Sequence, residues 1–257
     1  LVVGGSSARD FKTKYIATGA ATVSNEKDQV LIDMDCGEGY DRSTLDLLGD
    51  QEKLMQALIE TGKPLVVVYI QGRTLKMNLA AEKANALLTA WYPGGEGGHG
   101  IADVLFGDYN PAGRLPVSIP RNEGQLPIYY SKGKQRDYMD GDANALYSFG
   151  YGLSYTKFEY SDLQIKPGNG KDVLQTVTCT VKNTGNCDGQ EIVQLYIRDM
   201  VASVAQAPIL LKALERITLK KGESKTVTFN LGTKELSIYK NWGLTKPPSH
   251  AIIKKNK

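Results

Sequence analysis

Leu65-Val66-Val67-Val68-Tyr69-Ile70 decides the fold class of the first half of this chain. An unbroken apolar run rich in β-branched side chains fits a strand buried on both faces. Such strands belong to parallel sheets covered by helices. The flanking sequence agrees. Asp50 is placed to cap a helix over residues 50–61, with Leu54, Met55, Leu58 and Ile59 as a one-sided apolar stripe. Gly62 ends that helix and Pro64 prevents its restart. Further on, a helix is predicted over 78–85, a strand over 86–91 and a third helix over 96–106. Leu1-Val2-Val3, running into Gly4-Gly5-Ser6-Ser7, reads as the carboxyl end of another parallel strand. A doubly wound domain usually has about five or six strands, so the pattern matches the back half of one.

Residues 108–151 are rich in Pro, Gly and Tyr, as in structured loops that wrap a neighbouring domain or carry function. From about Ser154 the apolar period becomes two. Short strands are predicted over 176–181, 192–197, 214–219 and 226–229, with Asn183-Thr184-Gly185, Asp188-Gly189 and Lys221-Gly222-Glu223 as turns. That spacing predicts a small β-sandwich. The fold class is therefore α/β, a partial parallel-sheet α/β sandwich, followed by an all-β immunoglobulin or fibronectin III-like sandwich. The expected domains are 1–150 and 151–257, the second with an atypical tail from about 241.

A net charge of +3 is too small to point to nucleic acid or an acidic membrane. No run approaches the roughly 18 apolar residues of a membrane helix. The first residues do not read as a signal peptide, and the absence of an initiator methionine reads as a segment of a longer protein. Cys36, Cys179 and Cys187 have no metal-ligand spacing. Cys179 and Cys187 could pair across neighbouring strands, but buried or idle thiols fit better.

Cys36-Gly37-Glu38-Gly39-Tyr40-Asp41-Arg42 is the most informative stretch for chemistry, although a lone loop glutamate is more often a surface residue. Two glycines let the backbone bend sharply around a carboxyl, which is then placed to give or take a proton. Glu96 is expected to complement a helix dipole, and His99 in the same first turn to be structural or exposed. Gly94-Gly95-Glu96-Gly97-Gly98 lacks the lysine of a phosphate loop. Tyr40, Trp91, Tyr92, Tyr129 and Tyr130 are candidates to line a subsite, with core packing an equal account of Trp91.

Four blocks together resemble the C-terminal part of glycoside hydrolase family 3, the β-glucosidase and β-xylosidase family. They are the Glu38 loop, residues 90–116 from Ala90-Trp91-Tyr92-Pro93 through Gly113-Arg114-Leu115-Pro116, residues 147–156, and Asn183-Thr184-Gly185 through Asp199. The resemblance covers roughly residues 1–239. It implies a barrel, an α/β sandwich and a fibronectin III-like domain in succession, with the active site between the first two. It implies retaining, exo-acting hydrolysis of β-glucosides or oligosaccharides without a metal or organic cofactor. Glu38 would be the general acid/base, and Tyr40, Asp41 and Arg42 would orient the loop or touch substrate. The nucleophilic aspartate would lie on a barrel not found here, since no Ser-Asp-Trp occurs; the isolated chain is then inactive. Periplasmic or secreted location follows by family habit. The other readings are a non-catalytic carbohydrate-binding or interaction module, or a truncated product. Residues 207–216 lack the usual Lys-Gly-Phe pattern, and residues 241–257 leave the family pattern, which predicts an unpaired sheet edge.

Overall fold

A computed structural model of the chain describes residues 1–5, 42–133, 136–170, 172–201, 205–237, 239–240 and 243–244. They form two compact units, residues 1–105, 119–127 and 144–146, and residues 106–118, 128–143 and 147–257.

The first unit is built on a parallel sheet of β1 (Val2–Gly4), β2 (Val66–Ile70) and β3 (Ala86–Thr89), in that order. The predicted two-faced strand is β2, where Val67, Val68 and Tyr69 are almost wholly buried. Helices α1 (Gln51–Glu60), α2 (Asn78–Lys83) and α3 (Gly97–Phe106) lie between and after the strands, as the sequence predicts. Three local readings change. Asp50 does not cap α1: its carboxylate pairs with Lys53 at 2.7 Å instead. The stripe on α1 is narrower than expected, with Met55 buried and Leu54 exposed. Strand β3 stops at Thr89 because Trp91 sits at a φ of 52°, outside the range of a strand.

The second unit is the predicted sandwich. β4 (Phe158–Pro167), β5 (Gln175–Asn183) and β8 (Ser224–Leu231) form one antiparallel sheet in the order β4-β5-β8, and β6 (Gly189–Ile197) pairs with β7 (Leu210–Leu219). Alternate residues from both sheets build the core, including Val177, Val181, Val193, Leu195, Ile217, Val227 and Leu231. Each such side chain contributes roughly 1.5–3 kcal/mol through burial. The sequence hides β4 because a bulge with Asp162 at φ 52° breaks its alternation and most of it is exposed. Residues lacking Lys-Gly-Phe still pair, Leu210 with Ile197 and Leu211 with Tyr196. A short helix, α4 (Thr233–Leu236), follows the sandwich. β9 (Tyr239–Lys240) pairs antiparallel with β10 (Gly243–Leu244), the latter inside the predicted atypical tail. Cys179 is buried in the core and Cys187 is exposed, both as free thiols, so the alternative of a bond between them falls. Cys36 lies outside the described residues.

Two sequence blocks turn out to be fastenings of this unit. Asn183 is wholly buried; its Oδ1 accepts from Thr156 Oγ1 (2.6 Å) and Gly185 N (3.1 Å). Its Nδ2 donates to the carbonyls of Cys187 (2.9 Å) and Leu219 (3.1 Å). A Cβ on Gly185 would collide with Thr156, so Asn-Thr-Gly is required by packing. From the 90–116 block, Asn110 donates to Asp188 O at 2.9 Å and accepts from Ser154 Oγ and Tyr155 N, each at 2.9 Å. Arg114 Nη2 meets Glu191 Oε2 at 2.7 Å, and Tyr160 OH donates to Glu191 Oε1 at 3.1 Å. Burial, then the Glu191 charge, pushes the Tyr160 hydroxyl well above its ordinary pKa, which keeps it a donor. Arg114→Ala would strand a buried carboxylate and is expected to destabilise the sandwich by about 3–5 kcal/mol. Leu214→Ala, at a side chain left exposed, is expected to stay within about 0.5 kcal/mol. Urea midpoints followed by tryptophan-independent far-ultraviolet circular dichroism check both.

Candidate active site

Glu38, Tyr40 and Asp41 lie outside the described residues; Arg42, the next residue, is half-buried. The structure instead shows how the chain enters and leaves the segment that carries Glu38.

The entrance is Gly4, the last residue of β1. It sits at φ 151°, and a Cβ there would collide with the Ile70 carbonyl of β2. Glycine is therefore required where the two strands run side by side. Gln51, the first residue of α1, grips both polar groups of Gly4. Its Oε1 accepts from Gly4 N at 2.8 Å and its Nε2 donates to Gly4 O at 3.0 Å, while also donating to Leu48 O at 3.0 Å.

The exit is fixed at Leu45, which is buried. Leu45 N donates to Glu123 Oε1 at 2.7 Å, and Leu45 O accepts from Lys76 N at 2.7 Å. Lys76 Nζ also pairs with Asp46 at 3.2 Å. The loop after β2 that supplies Lys76 is itself held by side-chain hydrogen bonds. Gln71 is wholly buried, its Nε2 donating to Thr89 Oγ1 at 3.0 Å and its Oε1 accepting from Leu75 N at 3.1 Å. Tyr69 OH donates to Lys76 O at 3.1 Å. Burial, with a smaller effect of Glu52, raises the Tyr69 pKa far above its usual value, so it remains a donor. Of these groups, Gly4, Gln71 and Thr89 lie at or directly beyond the carboxyl ends of parallel strands, the side on which open α/β sheets bind ligands.

Among the remaining candidates, Tyr92 is partly exposed and packs so closely on Gly72 that a Cβ there would strike its ring. Trp91 is half-buried, and its carbonyl accepts from Gln71 N at 3.2 Å. Tyr129 is exposed. Tyr130 is a packing residue of the second unit: it stacks on Phe149 with ring centroids 4.2 Å apart, and its hydroxyl accepts from Leu211 N at 3.2 Å. Glu96 and His99 form an exposed pair at 2.7 Å. Among the described residues no group of three or more His, Cys, Asp or Glu could hold a metal, and no helix is long and apolar enough to cross a membrane. Sequence reasoning missed Gln51, Gln71 and Glu123. Only Gln71 carried a signal, as a polar residue directly behind a buried strand.

The Glu123 carboxyl is held below the usual carboxylate range, chiefly by the Leu45 N–H, then by its own N–H, with the Lys76 charge assisting. A depressed pKa gives stability that is complete above the unfolded carboxylate value and drains as pH falls through the lower native value. Glu123→Gln is therefore expected to lower the melting temperature at neutral pH and to lose less than wild type on acidification from about pH 7 to pH 3. Thermal unfolding across that range checks it; parallel curves for the two proteins would contradict it.

The family model for the glycosyl hydrolase family 3 C-terminal domain matches residues 12–155, and that for the fibronectin type III-like domain matches residues 191–243. A β-xylosidase of Formosa agariphila is 45% identical over 79% of this chain and 29% of its own length. The periplasmic β-glucosidase of Salmonella typhimurium is 42% identical over 79% of this chain and 28% of its own. Among solved structures, a β-glucosidase from Erythrobacter marinus superposes with a TM-score of 0.77 at 42% identity, covering 83% of this chain and 29% of that one. A Listeria innocua β-glucosidase in complex with glucose gives 0.76 at 35% identity, covering 82% and 32%. The chain thus spans under a third of the length of the relatives it matches.

Proposed function

The chain belongs to glycosyl hydrolase family 3, and from that premise we propose that it is the acid/base-bearing part of a retaining, exo-acting β-glycosidase. Its substrates are terminal non-reducing β-D-glucosyl residues. The observation that carries this reading is the double anchoring of the segment containing Glu38, at Gly4 by Gln51 and at Leu45 by Glu123 and Lys76, inside the stretch that matches the family. A carboxyl that must serve first as acid and then as base needs a fixed position on one side of the anomeric carbon. Glu38 gives its proton to the leaving oxygen, then takes one from the incoming water. Asp41 and Arg42 orient the loop and Tyr40 lines it. The second carboxyl, the nucleophile, comes from a barrel domain supplied by further polypeptide, at about 5–5.5 Å from the first. Residues 1–150 act as the α/β part of that enzyme and 151–257 as its fibronectin III-like support. The assembled protein works in the periplasm or outside the cell, as the name of the Salmonella relative supports.

The isolated chain is expected to hydrolyse para-nitrophenyl β-D-glucoside no faster than buffer. Joined in frame to the front part of the Salmonella relative it is expected to turn over, and Glu38→Ala in that fusion to lower kcat by roughly 10²–10⁴-fold. Turnover by the isolated chain, or an undiminished Glu38→Ala fusion, would contradict the reading.

A further inference from the structure

Asn169-Gly170 is the one Asn-Gly pair in the sequence, and both residues are exposed in the turn that joins β4 to β5. Gly170 adopts a φ of 82°, a left-handed conformation that favours glycine. Asparagine is a thermolabile residue. Here its side-chain amide is followed by a backbone nitrogen that no Cβ shields. The backbone of Val173 engages both groups. Its N–H donates to Asn169 Oδ1 at 3.2 Å, and its carbonyl accepts from Gly170 N at 3.1 Å. That carbonyl is closely packed in turn, since a Cβ on Gly168 would collide with it. Gly168 N donates to Leu174 O at 2.9 Å and Leu174 N to Leu231 O at 2.8 Å, which ties the turn to β8.

We propose that Asn169 is a site of spontaneous deamidation, and that Val173 holds the reaction back until the turn opens. In the reaction Gly170 N gives its proton to solvent and attacks Asn169 Cγ. The Cγ–N bond forms, the Cγ–Nδ2 bond breaks, and ammonia leaves with a proton taken from water. The cyclic succinimide then takes up water. Opening at one carbonyl gives aspartate and at the other isoaspartate, so the sum is water consumed and ammonia released. While Gly170 N–H is bound to Val173 O, its proton is not free to leave. While Asn169 Oδ1 is bound to Val173 N, the amide cannot turn to meet the nitrogen. The products differ in effect. Aspartate keeps an oxygen for Val173 N. Isoaspartate carries an added methylene in the main chain, which shifts Gly170 N away from Val173 O. A reversible opening of the turn is thereby made permanent.

The test incubates the 257-residue chain at neutral pH and one temperature, in buffer and in concentrated urea. Peptide mapping by mass spectrometry follows conversion at Asn169. Conversion is expected in both, about tenfold or more slowly in buffer, because two hydrogen bonds must open first. Asn169→Gln, whose longer side chain closes a less favourable ring, is expected to suppress conversion in both. Gly168→Ala, whose Cβ would displace the Val173 carbonyl, is expected to speed conversion in buffer and leave the rate in urea unchanged. If that variant loses its circular dichroism spectrum, the wild-type ratio decides alone. No conversion at Asn169 in urea would overturn the site. Equal wild-type rates in buffer and urea, or a folded Gly168→Ala protein that converts no faster than wild type, would overturn the role of Val173.

Discussion

The amide of Gln51 closed on the backbone of Gly4 is the constraint on which the front unit depends. Gly4 ends a strand of only three residues, and its φ of 151° brings β1 against Ile70 where no side chain fits. So short a strand holds little by its own ladder. Gln51 supplies both a donor and an acceptor to the same residue, and it does so from the first position of α1. Strand end and helix start are thereby locked together across the long segment that joins them. With Leu45 clamped by Glu123 and Lys76, the ends of that segment are fixed by groups on β1, α1 and the loops around residues 76 and 123.

The second unit obeys a different logic. Its core is an ordinary alternation of inward apolar residues, but its signature motifs are polar. Asn183 fills four hydrogen bonds in a fully buried position, and Glu191 links Arg114 to Tyr160. Such groups add specificity because any rearrangement strands a buried donor or charge. The long Asn-Pro-Ala-Gly-Arg-Leu-Pro stretch is thus explained by fastening: its Asn110 and Arg114 bind strands and turns of the sandwich.

Much of the fold was legible in the sequence. Residues 65–70 identify a two-faced strand because burial of consecutive side chains requires consecutive apolar residues, and the sandwich strands show their period of two. Strand β4 was not legible, because its bulge shifts the period and its faces are largely exposed. The end of β3 was missed because a positive φ at Trp91 has no sequence mark. Asp50 has the right chemistry for a cap, yet Lys53 competes for the same carboxylate. Of the site, the Glu38 motif was readable as a motif, whereas its supports were not: Gln51 and Glu123 act on partners 47 and 78 positions away, beyond any local pattern.

The most direct test of the account is azide rescue of the Glu38→Ala fusion with an activated aryl β-glucoside. Loss of an acid/base carboxyl leaves a glycosyl-enzyme that water attacks slowly for want of a base, whereas azide needs none. The account predicts a rate that rises with azide and a product of β-glucosyl azide, with the configuration retained. No acceleration, or an azide of inverted configuration, would contradict the assignment of the acid/base role to Glu38.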